Sequence, residues 1–417
     1  MKSASQMGIG TGSTSETGSA STVTRFSRTL ATSAIAIGSL SLSLGLAACN
    51  SNHTFAFVYA PSASLSSGLI NAYGAGSQEG NLHLLADSPL PSGGRNPTAI
   101  AAAPDHKAVY VTNHDDSTVV TFTIGTDGKL YPQNTYNTTG SFPTSVAVSA
   151  DGKFLYIAYT FQNSYTTASP GPGGISIFPI NDDYNLGAPI DVPIGRAPAA
   201  IATSSTPGFV YVVSQDPAAV ASGAAQTSNL FAFAADASTG GLTPLAGQTI
   251  NSGGNVPSFG FVSGQDPASV IEDSSGNFLY VTDNGGNNLL TYSISGGVPT
   301  QVASATVATG GQPRGMAIDP SGKFLFVANY EGTIGEYILS NGLPTLSTTA
   351  PSTASGSGTT CVSVEPTQGN YIYASGSLSN TITGYQIIPS DGSLKPIVNS
   401  PYTATTLPLC LVVVPQT

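Results

Sequence analysis

A short apolar segment carrying an aromatic anchor recurs seven times along the 417-residue chain. It reads Phe57-Val58-Tyr59-Ala60, Val109-Tyr110-Val111-Thr112, Leu155-Tyr156-Ile157-Ala158, Val210-Tyr211-Val212-Val213, Leu279-Tyr280-Val281-Thr282, Leu325-Phe326-Val327-Ala328 and Tyr371-Ile372-Tyr373-Ala374. The anchors Tyr59, Tyr110, Tyr156, Tyr211, Tyr280, Phe326 and Tyr373 are 51, 46, 55, 69, 46 and 47 residues apart. A period of about 45–50 residues with all-β character marks a propeller, one four-stranded blade per repeat. The expected fold class is all-β, a seven-bladed β-propeller. Such rings host enzymes, binders and scaffolds alike, so function has to be argued from the site.

Each repeat divides into four strands. In the second, an inner strand over Thr98–Ala103 is followed by a turn at Asp105-His106-Lys107, the aromatic strand Ala108–Thr112, a third strand Val119–Ile124 and an outer strand from Lys129. Turn pairs ending in Gly recur before the anchors, at Asp151-Gly152, Ser275-Gly276, Ser321-Gly322 and Gln368-Gly369, where glycine supplies the positive φ that a hairpin needs. The chain enters the repeats on an aromatic strand, Phe55–Tyr59, and leaves on an inner strand, Leu409–Val414. The last strand should therefore complete the first blade and remove the open edge of the ring. Cys361 and Cys410 each lie five residues before a proline, Pro366 and Pro415. That places them at equivalent points on neighbouring inner strands, within reach of a disulfide. In an exported chain an even pair of cysteines favours the bridge; two buried free thiols are the alternative.

Export is expected from the N-terminus. Arg25 and Arg28 precede an apolar stretch, Leu30 to Ala48, in the layout of a secretory signal. The stretch ends Leu46-Ala47-Ala48-Cys49, which resembles the bacterial lipobox, where the cysteine becomes the lipidated first residue. The expected organisation is a signal peptide over 1–48, lipidation at Cys49, a linker over 49–54 and one propeller domain over 55–417. Asn50 rather than Asp follows the cysteine, which by resemblance directs the protein to the outer membrane, the cell surface or the periplasm. Removing residues 1–48 takes away Lys2, Arg25, Arg28 and Glu16, leaving 11 − 3 = 8 cations and 22 − 1 = 21 anions. A mature chain this acidic has no electrostatic footprint for nucleic acid.

The run of Pro, inner strand, Asp-Gly-Lys, aromatic-Val-(Ala/Thr)-Asn and Gly-Leu resembles the lactonase-like seven-bladed propellers, which include the 6-phosphogluconolactonase type and the Tyr-Val-Thr-Asn repeat proteins. Tyr110-Val111-Thr112-Asn113 reproduces that tetrapeptide, and Tyr280-Val281-Thr282-Asp283 and Phe326-Val327-Ala328-Asn329 come close. The resemblance spans about residues 53–417. It implies the fold strongly and the activity weakly. Lactonases of this type often carry Pro-Arg-His at the start of an inner strand; here Pro313-Arg314-Gly315 keeps the arginine and lacks the histidine.

Strand alternation sorts the loops onto two faces. The loop after each aromatic strand and the loop leading into each inner strand share one face, termed the top. Arg95, Arg196 and Arg314 fall there, whereas Lys107, Lys129, Lys153, Lys323 and Lys395 fall at bottom turns. Arginine binds carboxylate and phosphate bidentately, and lysine suits solvated turns. One reading is an anion-binding mouth formed by the three arginines with Asp283; the other is that each arginine pairs with a local acid such as Asp115, Asp283 or Glu331 and fixes a loop. His114 or Glu331 would be the base for hydrolysis, with Arg314 and Arg196 holding the substrate or its oxyanion. His53, His83 and His106 have no metal-ligand spacing. Asp115-Asp116 and Asp283-Asn284 are the acidic pairs a Ca²⁺ ion would use, but no ligand set is complete, so neither a cofactor nor a metal is expected.

The leading expectation is a monomeric, envelope-anchored lipoprotein. It would touch the membrane through its anchor and bind a small anionic ligand, a glycan or an envelope protein at the channel mouth. The alternative is a lactone hydrolase on the same scaffold.

Overall fold

The computed structural model describes residues 53–215, 228–245, 248–249 and 259–417. The expected leader, Cys49 and most of the linker lie outside the described residues. His53–Thr417 forms a compact unit.

Seven antiparallel sheets make up a seven-bladed propeller. The second blade, ordered from the axis outward, is Pro97–Ala102, Ala108–Asn113, Thr118–Ile124 and Leu130–Asn137. The inner strands of the third to seventh blades are Ser141–Val148, Pro198–Thr203, Pro267–Glu272, Pro313–Ile318 and Thr359–Val364. The ring closes as the terminal strands imply: Phe57 pairs with Val414, Val58 with Val413 and Tyr59 with Val412. The closing strand is Val412–Pro415, so Leu409 and Cys410 lie just ahead of it. The only helix among the described residues is one 3₁₀ turn, Ala303–Ala305.

The aromatic strands read as unbroken apolar runs because both of their faces are buried. Val109 and Val111 pack towards the first blade, whereas Ala108 and Tyr110 pack towards the third. Alternate residues of one strand thus serve two interfaces, the pattern of a sheet covered on both sides. Seven apolar clusters result, one at each junction between neighbouring blades.

The repeated aromatics have a second task. Phe57, Phe154, Phe209, Phe278, Phe324 and Tyr371 each lie beneath a left-handed glycine in the outer hairpin of the next blade: Gly128, Gly240, Gly297, Gly342, Gly392 and Gly80. A Cβ on any of these glycines would overlap the ring below it. Four hydroxyls two residues further on hydrogen-bond the same glycines: Tyr59 donates to the Gly128 carbonyl at 2.7 Å, Tyr156 to Gly240 at 3.3 Å, Tyr280 to Gly342 at 2.8 Å and Tyr373 to Gly80 at 2.6 Å.

Around the axis, side chains near the start of one inner strand clasp the next. Thr98 Oγ1 donates to the Pro143 carbonyl at 3.1 Å, Thr144 Oγ1 to Pro198 at 2.8 Å and Thr360 Oγ1 to Leu409 at 2.7 Å. Thr282 Oγ1 donates to the Arg314 carbonyl at 2.8 Å, and Gln215 Nε2 to Pro267 at 3.1 Å.

The disulfide expected between Cys361 and Cys410 is not shown. Cys361 lies on the seventh inner strand and Cys410 two residues ahead of the closing strand; their sulfurs stand 2.7 Å apart and both cysteines are free, beyond the covalent length of about 2.05 Å. The backbones bring the two thiols into contact without bonding them. That contact, and then burial, hold the Cys361 thiol well above the usual range.

Candidate functional site: the top mouth of the channel

A cavity of about 370 Å³ opens on the axis, and every blade contributes to its wall. Its lining comes from the first residues of the inner strands, which start at the top face, so this is the top of the channel. Much of the wall is small or apolar: Ala99, Ala199, Ala200, Ala268 and Leu409 among others. The hydroxyls of Thr98, Thr144 and Thr360 also line it, with their protons engaged in the inter-blade clasps.

Among the described residues, Arg314 is the one charged side chain in that wall. Its guanidinium lies over the ring of Tyr330, 5.6 Å from the centroid, and among the described residues it is paired with no carboxylate. A stacked, unpaired guanidinium keeps its fork of donors available for an oxyanion or a polarised carbonyl.

The other two arginines do not join it. Arg95 is bound by Asp116: Nε to Oδ1 at 2.7 Å, Nη2 to the same oxygen at 2.6 Å, and the Arg95 backbone N–H to Oδ2 at 2.7 Å. This pairing depresses the Asp116 carboxyl and raises the guanidinium. Arg95 therefore fastens one top loop to another, and the pairing alternative holds for it, with Asp116 as the acid. Arg196 ends the strand Ile190–Arg196 and is not part of the channel lining. Its Nε is buried without a hydrogen-bond partner among the described residues.

His114 and Asp115 form a pair, Nδ1 to Oδ1 at 2.7 Å. The imidazole stacks on Phe142 with centroids 4.8 Å apart, and Asp115 Oδ2 also accepts from Asn96 Nδ2 at 2.5 Å. With its Nδ1 held by the carboxylate, the ring presents Nε2 as its free nitrogen. Neither residue lines the channel. Glu331 is exposed, accepts from Thr333 Oγ1 at 3.0 Å, and lies against Gly310 and Gly311.

Asp283 is 4% exposed and accepts the backbone N–H groups of Gln265 and Asp266 at 3.0 and 2.9 Å. Here it holds the incoming loop of its own blade. Asn113 does the equivalent work in the second blade, accepting from Ser92 Oγ at 2.9 Å and donating to Thr118 Oγ1 at 3.3 Å. Asn329 donates to Thr333 Oγ1 at 3.1 Å. The last residue of the Tyr-Val-Thr-Asn tetrapeptide is thus a buried loop clamp. The sequence signal for this was the Thr four or five residues after each Asn, which the strand reading passed over.

Gly315 explains the incomplete Pro-Arg-His run. A Cβ there would stand 2.9 Å from the Thr360 carbonyl and 3.1 Å from the Cys361 Cα. The seventh blade's inner strand occupies the space that a side chain at 315 would need, and those obstacles are backbone.

Comparison with known proteins agrees with this architecture. The chain matches the family model "Lactonase, 7-bladed beta-propeller" over residues 51–168 and 255–362. A 6-phosphogluconolactonase of Pectobacterium atrosepticum is 27% identical over 307 residues, covering 64% of this chain and 86% of that protein. Among solved structures, the periplasmic gluconolactonase of Pseudomonas aeruginosa superposes with a TM-score of 0.65 at 16% identity, covering 87% of this chain and 99% of that one. A candidate 6-phosphogluconolactonase from Bacteroides uniformis gives a TM-score of 0.69 at 18% identity, covering 87% and 100%. At such identities the structural likeness concerns the fold. The family model covers more than half the chain, and together with the closed seven-bladed ring it places this chain in the seven-bladed lactonase β-propeller family.

Proposed function

We propose that this chain is a binding propeller of the lactonase family, and that it takes a ligand with one oxyanion or polarised carbonyl into the top mouth of its channel. The observation that carries the reading is Arg314: among the described residues it is the one charged group in the wall, lying over Tyr330 and without a carboxylate partner. Binding ranks ahead of turnover because backbone fills the space at Gly315 where the related lactonases often carry an imidazole. The lipobox-like end of the leader supports anchorage of this propeller in the bacterial envelope.

Hydrolysis of a lactone is the second reading, favoured by the His114–Asp115 pair on the same face. A carboxylate-held imidazole is the arrangement of a general base. In this reading Arg314 stabilises the developing oxyanion.

The test is calorimetric titration of Asn50–Thr417 with carboxylates and a pH-stat assay on a lactone panel, each repeated with Arg314→Ala. The binding reading predicts at least a tenfold loss of affinity in the variant at an unchanged melting temperature, with no turnover by either protein. Turnover lost in both Arg314→Ala and His114→Ala, with the fold intact, would establish the hydrolase instead. Equal affinity in wild type and Arg314→Ala would remove the channel mouth from consideration.

A further inference from the structure

The rim of the mouth differs in character from a site for a polyhydroxylated or phosphorylated ligand. Among the described residues of the wall, Arg314 is the single charge; the hydroxyls of Thr98, Thr144 and Thr360 already donate to neighbouring inner strands, and Ser145, Ser269 and Gln215 add further polar groups. On the rim, three leucines stand out into solvent on top loops of the seventh and first blades: Leu65 at 78%, Leu378 at 57% and Leu407 at 43% exposure. Isolated exposed leucines need no explanation, but these three ride on loops fastened to one another. Leu407 N donates to Asn380 Oδ1 at 2.9 Å, and Ala63 N donates to the Leu407 carbonyl at 2.9 Å. Asn380 is two residues from Leu378, and Ala63 two from Leu65.

The rim is linked to the arginine through neighbouring backbone segments. The Arg314-Gly315 segment abuts Thr360 and Cys361. Thr360 is hydrogen-bonded to Leu409, and Leu409 is two residues from Leu407. Leu407 itself is held at φ +51, a region that is unfavourable for a bulky residue and persists where the surroundings impose it.

We propose that the ligand is an oxygen-headed amphiphile, a carboxylate or lactone bearing an apolar chain, with its head on Arg314 and its chain running past Leu409 onto Leu407 and Leu378. This rests on the reading of Arg314 as the ligand anchor and narrows the class of ligand that reading admits. One guanidinium satisfies one oxygen head. The alanines of the wall, Leu409 and the rim leucines then supply contact surface for methylenes.

The test titrates Asn50–Thr417 with gluconate, hexanoate and decanoate, three probes with the same carboxylate. A buried methylene is worth about three- to fourfold in affinity, so with partial burial decanoate should bind at least ~10-fold tighter than hexanoate, and gluconate weakest. The double variant Leu378→Ser, Leu407→Ser should lose the gain with chain length and keep hexanoate affinity; Arg314→Ala should weaken all three alike. Gluconate binding as tightly as decanoate, with Arg314 still required, would overturn the amphiphile and leave the anchor standing. A chain-length gain untouched by the leucine changes would overturn the placement of the chain. If the leucine changes altered the sedimentation coefficient and left decanoate binding unchanged, the rim would be a contact between copies, and the inference would fall. Arg314-independent binding of all three would sink the anchor and the inference together.

Discussion

Away from the mouth, Glu336 is a carboxylate buried without a full set of partners among the described residues. It lies on the third strand of the sixth blade, 1% exposed, where Thr353 Oγ1 donates to Oε1 and Oε2 has no hydrogen-bond partner. Burial pushes its carboxyl up to about 7, with the nearby Asp391 adding to the rise and the Thr353 hydrogen bond opposing it. The unfolded chain releases this proton near pH 4.3. The folded state therefore holds a proton that the unfolded state has lost between about pH 4.5 and 7, and stability falls as pH rises through that window. The loss is on the order of 2 kcal/mol. Urea melts of the wild type at pH 5 and pH 7.5 should show it, and Glu336→Gln, uncharged at both, should lose most of the difference. An unchanged pH dependence in that variant would contradict the assignment. At the mouth, Arg95 and Arg314 look alike in the sequence and differ in role because Asp116 lies within reach of the first.

At the scale of the element, the unit that repeats is an aromatic strand together with the glycine hairpin of the next blade. The hairpin Gly296-Gly297 of the fifth blade separates packing from backbone strain. Both residues have positive φ, 57 and 80 degrees; a Cβ at 296 meets nothing within 4 Å, whereas one at 297 would overlap the Phe209 ring. Gly296→Ala should cost only the backbone term, about 1 kcal/mol. Gly297→Ala should cost that plus overpacking of a further 1–3 kcal/mol. Equal losses in thermal melts of the two variants would mean that the aromatic–glycine contact does not hold the blades together. The aromatic half of this unit was legible in the sequence, because an apolar run buried on both faces leaves a regular imprint. Its partner was not, since Gly128, Gly240 and Gly342 read locally as turn residues and their contacts lie about 60–80 residues away in the chain. The inner strand of the second blade begins at Pro97, one residue ahead of the Thr98 expected from the sequence. Asn96, Ala197, Gln312 and Leu407, each directly before a proline, take positive φ, so three of those prolines open their inner strands.

For the whole molecule, seven-fold closure followed from the repeat and from the complementary strands at the two ends. The channel mouth was less legible. Sorting the loops onto two faces put three arginines at the top, but a sequence does not tell which of them is neutralised, nor that the clasps engage the threonines of the wall. The Gly315 substitution was visible as a missing histidine, and its cause became clear only with Thr360 and Cys361 packed against it. Arg95, Arg196 and Arg314 are the three arginines of Asn50–Thr417, so the central claim can be read directly from their side-chain Nε–Hε signals in a ¹⁵N-labelled sample of that segment titrated with decanoate. The account predicts that the Arg314 signal, assigned by its loss in Arg314→Lys, moves with saturation while the Asp116-bound Arg95 signal stays in place. A titration that moves Arg95 or Arg196 and leaves Arg314 unmoved would contradict it.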